Sequence, residues 1–253
     1  MPEAWEITTS DSRMENQVVT FIIFCEDQND EPYYFRSFEI ENKLKINCIP
    51  NQKKAKLNLI NTLGYCKDKD LIDFVDHGFK IKEGITENIW CVYDRDLEHI
   101  DFSQIRVEDD INFSTAIETA KQAGLKVAWS NDAFELWVLL HFEEVQGNEK
   151  LHRDYVYNRL TEILRDVPQI KEKYSDLINA GSFHYKHHLK KRVAFLLYVL
   201  PLLKEKIPDA IQNAKILEKV FEGNIPYHDC NPCTLVHHLV GDILLAQEAN
   251  YLG

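Results

Sequence analysis

Apolar segments of strand length recur along the first 143 residues. Val-Val-Thr-Phe-Ile-Ile-Phe-Cys (18–25) is β-branched and aromatic throughout. Such a run predicts a strand buried on both faces, as in a parallel sheet. Leu-Lys-Ile-Asn-Cys-Ile-Pro (44–50), Asn-Ile-Trp-Cys-Val-Tyr-Asp-Arg-Asp (88–96) and Leu-Lys-Val-Ala-Trp-Ser (125–130) predict three more strands. The third of the four ends abruptly in alternating charges. Helical spacing fills the gaps. Pro32 suits a first helical turn, with Tyr34, Phe35 and Phe38 following at helical intervals. Residues 53–78 read as helical material broken near Gly64 and closed near Gly78. Residues 113–124 form a short amphipathic helix with a glycine stop. Residues 130–142 read as a helix apolar almost all round, hence buried, capped by Ser130, Asn131 or Asp132.

Strand and helix thus alternate four times, which predicts an α/β fold: a mostly parallel four-stranded sheet with flanking helices over residues 17–145. From about residue 150 the strand signals vanish. Residues 155–167, 170–179, 192–206, 208–223 and 232–252 all carry helical spacing. The second part, 146–253, is therefore expected to be an α-helical lobe, joined without a low-complexity linker. Residues 1–16 are polar and patternless and read as a loose arm.

Composition narrows the class. The chain has 253 residues, 45% hydrophobic and 28% charged, as in ordinary globular proteins and unlike disordered, collagen-like or disulfide-scaffold chains. The apolar runs are too short to cross a bilayer, and no basic region followed by an apolar core opens the chain. The expected compartment is the reducing cytoplasm, with no membrane contact and no disulfides among six cysteines. Cys25, Cys48 and Cys91 fall inside apolar strands and read as small buried hydrophobes. With 29 Lys+Arg against 41 Asp+Glu the net charge is −12. That disfavours a protein that simply coats DNA. It leaves room for an enzyme whose acids hold a cation.

The acids have a pattern. Glu26 directly follows the first strand, and Asp94 and Asp96 close the third. In open parallel sheets ligands bind outside the carboxyl ends of strands. Aspartates two apart on an extended end point the same way. Three clustered carboxylates repel one another unless a cation intervenes, and hard Mg²⁺ or Mn²⁺ is the cation that carboxylates suit. Acids after strands are also ordinary loop residues, and on spacing alone the two readings stand level.

Further positions divide in the same way. Glu135 lies in the apolar helix one turn past the fourth strand and needs a partner there, as an acid or as the orienter of a base. His141, six residues on, is off its face. Glu31 is either a helix N-terminal acid or a carboxylate behind the site. Ser130 and Asn131 are caps or phosphate contacts. In 183–192, Tyr185, Lys186, Lys190, Lys191 and Arg192 interleave bases with aromatics; this is a solvated helix face or a nucleic-acid contact. Cys230-x-x-Cys233 with His237 and His228 resembles half a zinc site. The competing reading makes Asn231 an N-cap and Pro232 the first helical residue. No P-loop or Gly-x-Ser-x-Gly is present.

Four segments occur in a characteristic order: FIIFCEDQNDEPYYF (21–35), VYDRD (92–96), SNDAFELWVLLHF (130–142) and NPCTLVHHL (231–239). Together they resemble the RloB-like family, whose N-terminal half is a Toprim-like domain; the resemblance spans about residues 18 to 240. Toprim domains use a glutamate after the first strand and Asp-x-Asp after a later one to bind Mg²⁺, and they break or join phosphodiester bonds. The resemblance implies Glu26 as acid/base or metal ligand and Asp94 and Asp96 as metal ligands; Arg95, between the two aspartates on a strand, would point away from them. It implies a metal-dependent nuclease acting on RNA or DNA in bacterial anti-phage defence. The alternative is a non-catalytic partner or sensor that binds another defence component. Two departures stand out. The family often reads Glu-Gly where this chain has Glu26-Asp27, and it often opens on a basic arm where this chain is acidic.

Overall fold

The computed structural model describes residues 18–50, 58–75, 78–85, 88–97 and 101–251. The N-terminal arm, and residues 53–57 of the long stretch read as helical, lie outside them. In chain order the elements are β1 (Val19–Cys25), α1 (Asp30–Arg36), β2 (Leu44–Pro50), α2 (Asn58–Asp68), β3 (Ile72–Val75), β4 (Gly78–Ile81), β5 (Asn88–Asp94), α3 (Val107–Gln122), β6 (Lys126–Asn131) and α4 (Glu135–Leu140). There follow α5 (Arg153–Leu164), α6 (Pro168–Lys173), α7 (Ser175–Asn179), α8 (Tyr185–His188), α9 (Arg192–Ala194), α10 (Leu200–Glu205), α11 (Ile207–Val220), β7 (Cys233–Thr234) and α12 (Val236–Tyr251).

The four apolar runs form four parallel strands. The sheet order is β2-β1-β5-β6-β7, with β7 antiparallel on β6. The chain leaves β1 for β2 on one side and returns as β5 on the other, so the crevice between the ends of β1 and β5 is a topological switch point. Side chains of β1 alternate between two cores, as an unbroken apolar run requires. Phe21, Ile23 and Cys25 join α1, α4 and the helices of the second half. Ile22 and Phe24 join Cys66 of α2 and Ala116 and Ala120 of α3.

Three sequence expectations are corrected. The sheet has five strands, because Cys233–Thr234 pairs with Ser130 and Asn131; a two-residue strand is too short to show alternation, and Asn231-Pro232 does not open a helix. Residues 71–75 and 78–81 form no helix. The helix α2 runs through Gly64 and stops at Asp68, Asp70 reverses the chain at φ 61, and β3 and β4 form a separate hairpin, Ile72 opposite Ile81 and Phe74 opposite Phe79. The buried helix begins at Glu135, and Ser130 and Asn131 belong to β6. All six cysteines are free and buried. Among the described residues no helix is long and apolar enough to cross a membrane.

Candidate metal and acid–base site

The ends of β1 and β5 are stitched together by carboxylates. Glu26 Oε2 accepts from Asp94 N at 2.8 Å. Glu31 Oε2 accepts from Glu26 N at 2.8 Å and Asp27 N at 3.2 Å, so this buried acid holds the turn after β1 from beneath. Asp94 Oδ2 accepts from Phe134 N at 2.8 Å, placing a carboxylate at the N-terminus of α4, where the backbone favours negative charge. Its other oxygen, Oδ1, is buried with no hydrogen-bond partner. Asp96 lies beyond the strand end at φ 53 and is ion-paired with Arg153. Aspartate tolerates that left-handed conformation better than most residues. The carbonyl of Asp132 fixes it by accepting from Arg95 N and Asp96 N at 3.0 and 3.1 Å. The Asp132 side chain accepts from Leu97 N at 2.6 Å and Arg153 N at 2.9 Å. Arg95 does turn away: it pairs with Asp110 and donates to His228 O at 2.6 Å.

Burial and mutual repulsion shift these acids. The Glu26 carboxyl is pushed up to about 7, first by burial and then by Asp96, against the hydrogen bond from Asp94 N. Asp94 is raised well above the carboxylate range by burial and by the charges of Glu31, Glu26 and Asp96. Glu31 is raised too, by burial and then Asp30.

A second group adjoins the first. Lys190 Nζ lies 2.6 Å from Glu135 Oε1, 3.2 Å from Asp27 Oδ2 and 3.8 Å from Asp30 Oδ2. Glu135 and Asp30 are fully buried, and Glu135 Oε2 has no hydrogen-bond partner. Burial raises Asp30 to about 8, against the pull of Lys190. Burial also acts to raise Asp27, but Lys190 and the N–H groups of Asn29 and Gln28 outweigh it and the carboxyl falls. Those same N–H groups close an Asx turn on Asp27 Oδ1, so the turn forms without the family's glycine.

The basic stretch divides. Lys186, Lys191 and Arg192 are exposed; Tyr185 is fully buried and Lys190 is turned inward. Tyr185 stacks on Tyr157 at 6.3 Å, and Lys186 Nζ lies 5.2 Å from the Tyr157 ring centre. His141 sits in the core, Nδ1 2.8 Å from Trp137 O and Nε2 3.3 Å from the Tyr34 hydroxyl. Ser130 Oγ meets Thr234 Oγ1, and Asn131 Nδ2 donates to the carbonyls of His228 and Cys230; neither caps the helix. The possible Cys230/Cys233/His228/His237 set does not assemble. His228 bonds Ser114, and His237 faces Glu218. Sequence reasoning missed Arg153, Asp132, Asp30 and Tyr157. Asp132 and Asp30 stand inside the quoted segments, whereas Arg153 and Tyr157 carry no local signal.

Donors around one Mg²⁺ sit about 2.1 Å from it, hence at most about 4.2 Å apart. Among the described residues, the His/Cys/Asp/Glu group whose ligand atoms all lie within 4.8 Å of one another is Glu218, His237 and His238. Glu26, Asp94 and Asp96 are spaced more widely. They fit an ion held directly by one or two carboxylates, with water completing the shell, the usual arrangement for Mg²⁺. Of these three acids, Asp94 has a buried carboxylate oxygen, Oδ1, with no hydrogen-bond partner.

A family model described as RloB-like protein matches residues 21–243. No curated protein matches the chain, and no solved structure does.

Proposed function

The chain belongs to the RloB-like family, and from that premise we propose that it is a Mg²⁺- or Mn²⁺-dependent nuclease that cleaves phosphodiester bonds of RNA or DNA, in the setting of bacterial anti-phage defence. The observation that carries the reading is the crevice between β1 and β5, where Glu26 and Asp94 meet and Asp94 Oδ1 is left unpartnered. Asp94 would hold the ion directly, with Glu26 and Asp96 completing the set directly or through water. When bound, the cation would polarise the phosphoryl group and offset charge building on its oxygens. Glu26, whose carboxyl burial and Asp96 push up to about 7, is suited to take up or release a proton there. Arg153, now on Asp96, is a guanidinium suited to a phosphate oxygen. Glu135 orients Lys190 at the edge of the site. Lys186, Lys191 and Arg192 supply outer phosphate contacts.

A second reading is a non-catalytic partner or sensor. It is favoured by the ion pairs of Arg153 and Lys190, which already neutralise part of the acid cluster.

The deciding experiment compares wild type with Asp94→Ala/Asp96→Ala on tRNA, single-stranded and duplex substrates with Mg²⁺ or Mn²⁺. Cleavage should fall at least about a hundredfold, the scale of losing a major charge-stabilising group. Equal cleavage by the two proteins would sink the site assignment. A folded wild type that cleaves nothing would favour the partner reading.

A further inference from the structure

Away from the carboxylate crevice, α11 and α12 pack against each other and bring together a group that the nuclease reading leaves unused. Glu218 is in the last turn of α11, and His237 and His238 are in the first turn of α12. His237 Nε2 lies 3.0 Å from Glu218 Oε2. His238 Nε2 lies 3.0 Å from Glu218 Oε1 and 3.1 Å from Oε2. Two adjacent imidazoles, ring centres 4.1 Å apart, thus aim the same nitrogen at one carboxylate.

We propose that Glu218, His237 and His238 form a transition-metal site of the Zn²⁺ class, built by elements other than those of the carboxylate crevice.

The spacing supports this. Around a tetrahedral Zn²⁺, with bonds of about 2.1 Å, neighbouring ligand atoms are about 3.4 Å apart. The nitrogen–oxygen distances of 3.0–3.1 Å need open by only a few tenths of an ångström. The three ligand atoms all lie within 4.8 Å of one another. His237 closes the inner side, while the side chains of His238 and Glu218 are 51% and 36% exposed. The site therefore has an entry path and an open fourth position for water, as three-ligand zinc sites do. The donor set selects the metal: imidazole suits Zn²⁺, Cu²⁺ and Ni²⁺, and hard Mg²⁺ prefers oxygen. Binding balances without an external base, because each neutral imidazole moves its proton from Nε2 to Nδ1 and Nε2 offers its lone pair.

The test uses the full chain carrying Asp94→Asn/Asp96→Asn, so that the crevice does not contribute, stripped with a chelator and titrated with Co²⁺. One equivalent should bind, with the weak visible absorption of a nitrogen/oxygen-ligated ion and without a near-ultraviolet thiolate band. Zn²⁺ should displace it one for one, and Mg²⁺ should not. His238→Ala and Glu218→Gln, both at partly exposed positions, should each weaken binding at least tenfold, with far-ultraviolet circular dichroism matching the parent. The proposal is overturned if no ion binds, if both variants bind within tenfold of the parent, or if the spectrum shows thiolate ligation by the cysteines.

Discussion

Glu26 holds its proton to unusually high pH because burial and Asp96 disfavour its charge. The sign of the effect on stability follows. The folded-state value, about 7, lies above the ordinary carboxyl value, so the folded state binds more protons between the two and stability falls as pH rises across that window. Above pH 7 the full penalty applies, on the order of 1–3 kcal/mol after allowance for partial solvent access. Glu26→Gln should therefore raise the thermal midpoint at pH 8 without divalent cations, and change it little at pH 4. A midpoint at pH 8 that does not rise counts against the electrostatic account. Lys190 works the other way. It neutralises Glu135, Asp27 and Asp30, and removing one partner of a buried pair typically costs about 3–5 kcal/mol. Lys190→Met should lower stability by that order in urea unfolding, and adding Glu135→Gln should restore part of it; no recovery would separate the two residues energetically. At this scale the sequence told half the story. The meeting of Glu26 with Asp94 was legible because Glu26 follows β1 directly and Asp94 closes β5, two strands whose ends lie side by side. The inward turn of Lys190 was not, because a basic run looks the same whether its members face water or a buried carboxylate as far upstream as Glu135 or Asp30.

At the scale of elements, β1 and β5 were legible for a plain reason: a strand buried on both faces reads as a near-continuous apolar run, whereas the edge strand β2 showed itself by alternation, with Leu44, Ile46 and Cys48 buried between Lys45 and Asn47. The hairpin of β3 and β4 was hidden because Leu71, Ile72, Phe74 and Val75 also suit a helix face, and the turn at Asp70 uses an aspartate in the left-handed region where glycine is the usual signal. The fifth strand was hidden by brevity. The segment that leads into it is tied to β6 by one side chain. Asn131 donates to the carbonyls of His228 and Cys230, and its Oδ1 accepts from Asn231 Nδ2 at 3.0 Å. Asn131→Ala removes the partner of Cys230 O and of Asn231 Nδ2, while His228 O keeps its bond from Arg95; each unpaired group costs about 1–3 kcal/mol, with partial relief from relaxation. We expect an overall loss of about 2–4 kcal/mol and faster amide hydrogen exchange confined to residues 227–235. Exchange rising evenly across the sheet would show that Asn131 does not anchor this segment in particular.

For the whole molecule, the change from alternating elements to helices alone suggested two parts meeting near residue 145. The packing runs across that point. One continuous core takes Phe21, Ile23 and Val92 from the sheet, Phe35 from α1 and Trp137 and Leu140 from α4. It continues through Leu160 of α5, Leu217 of α11, and Val240 and Ile243 of α12. The second half supplies the layer covering one face of the sheet, and returns β7 to its edge. Sequence periodicity reports which face of a helix is buried but not against what, so a covering layer and a separate lobe read alike. The site depends on the same layer: Arg153 and Lys190 reach the acids at the sheet's carboxyl edge from the helical half. A fragment of residues 1–145 would expose the aromatic and aliphatic side chains that this layer buries, and an uncovered sheet face is an aggregation surface. It should fail to give a cooperative thermal transition and should be cut rapidly by protease, while the full chain resists. A fragment that melts cooperatively with native-like circular dichroism would mean that the α/β half carries its own stability and that the helices were added to it, with Arg153 and Lys190 arriving as later regulators of a pre-existing acidic crevice.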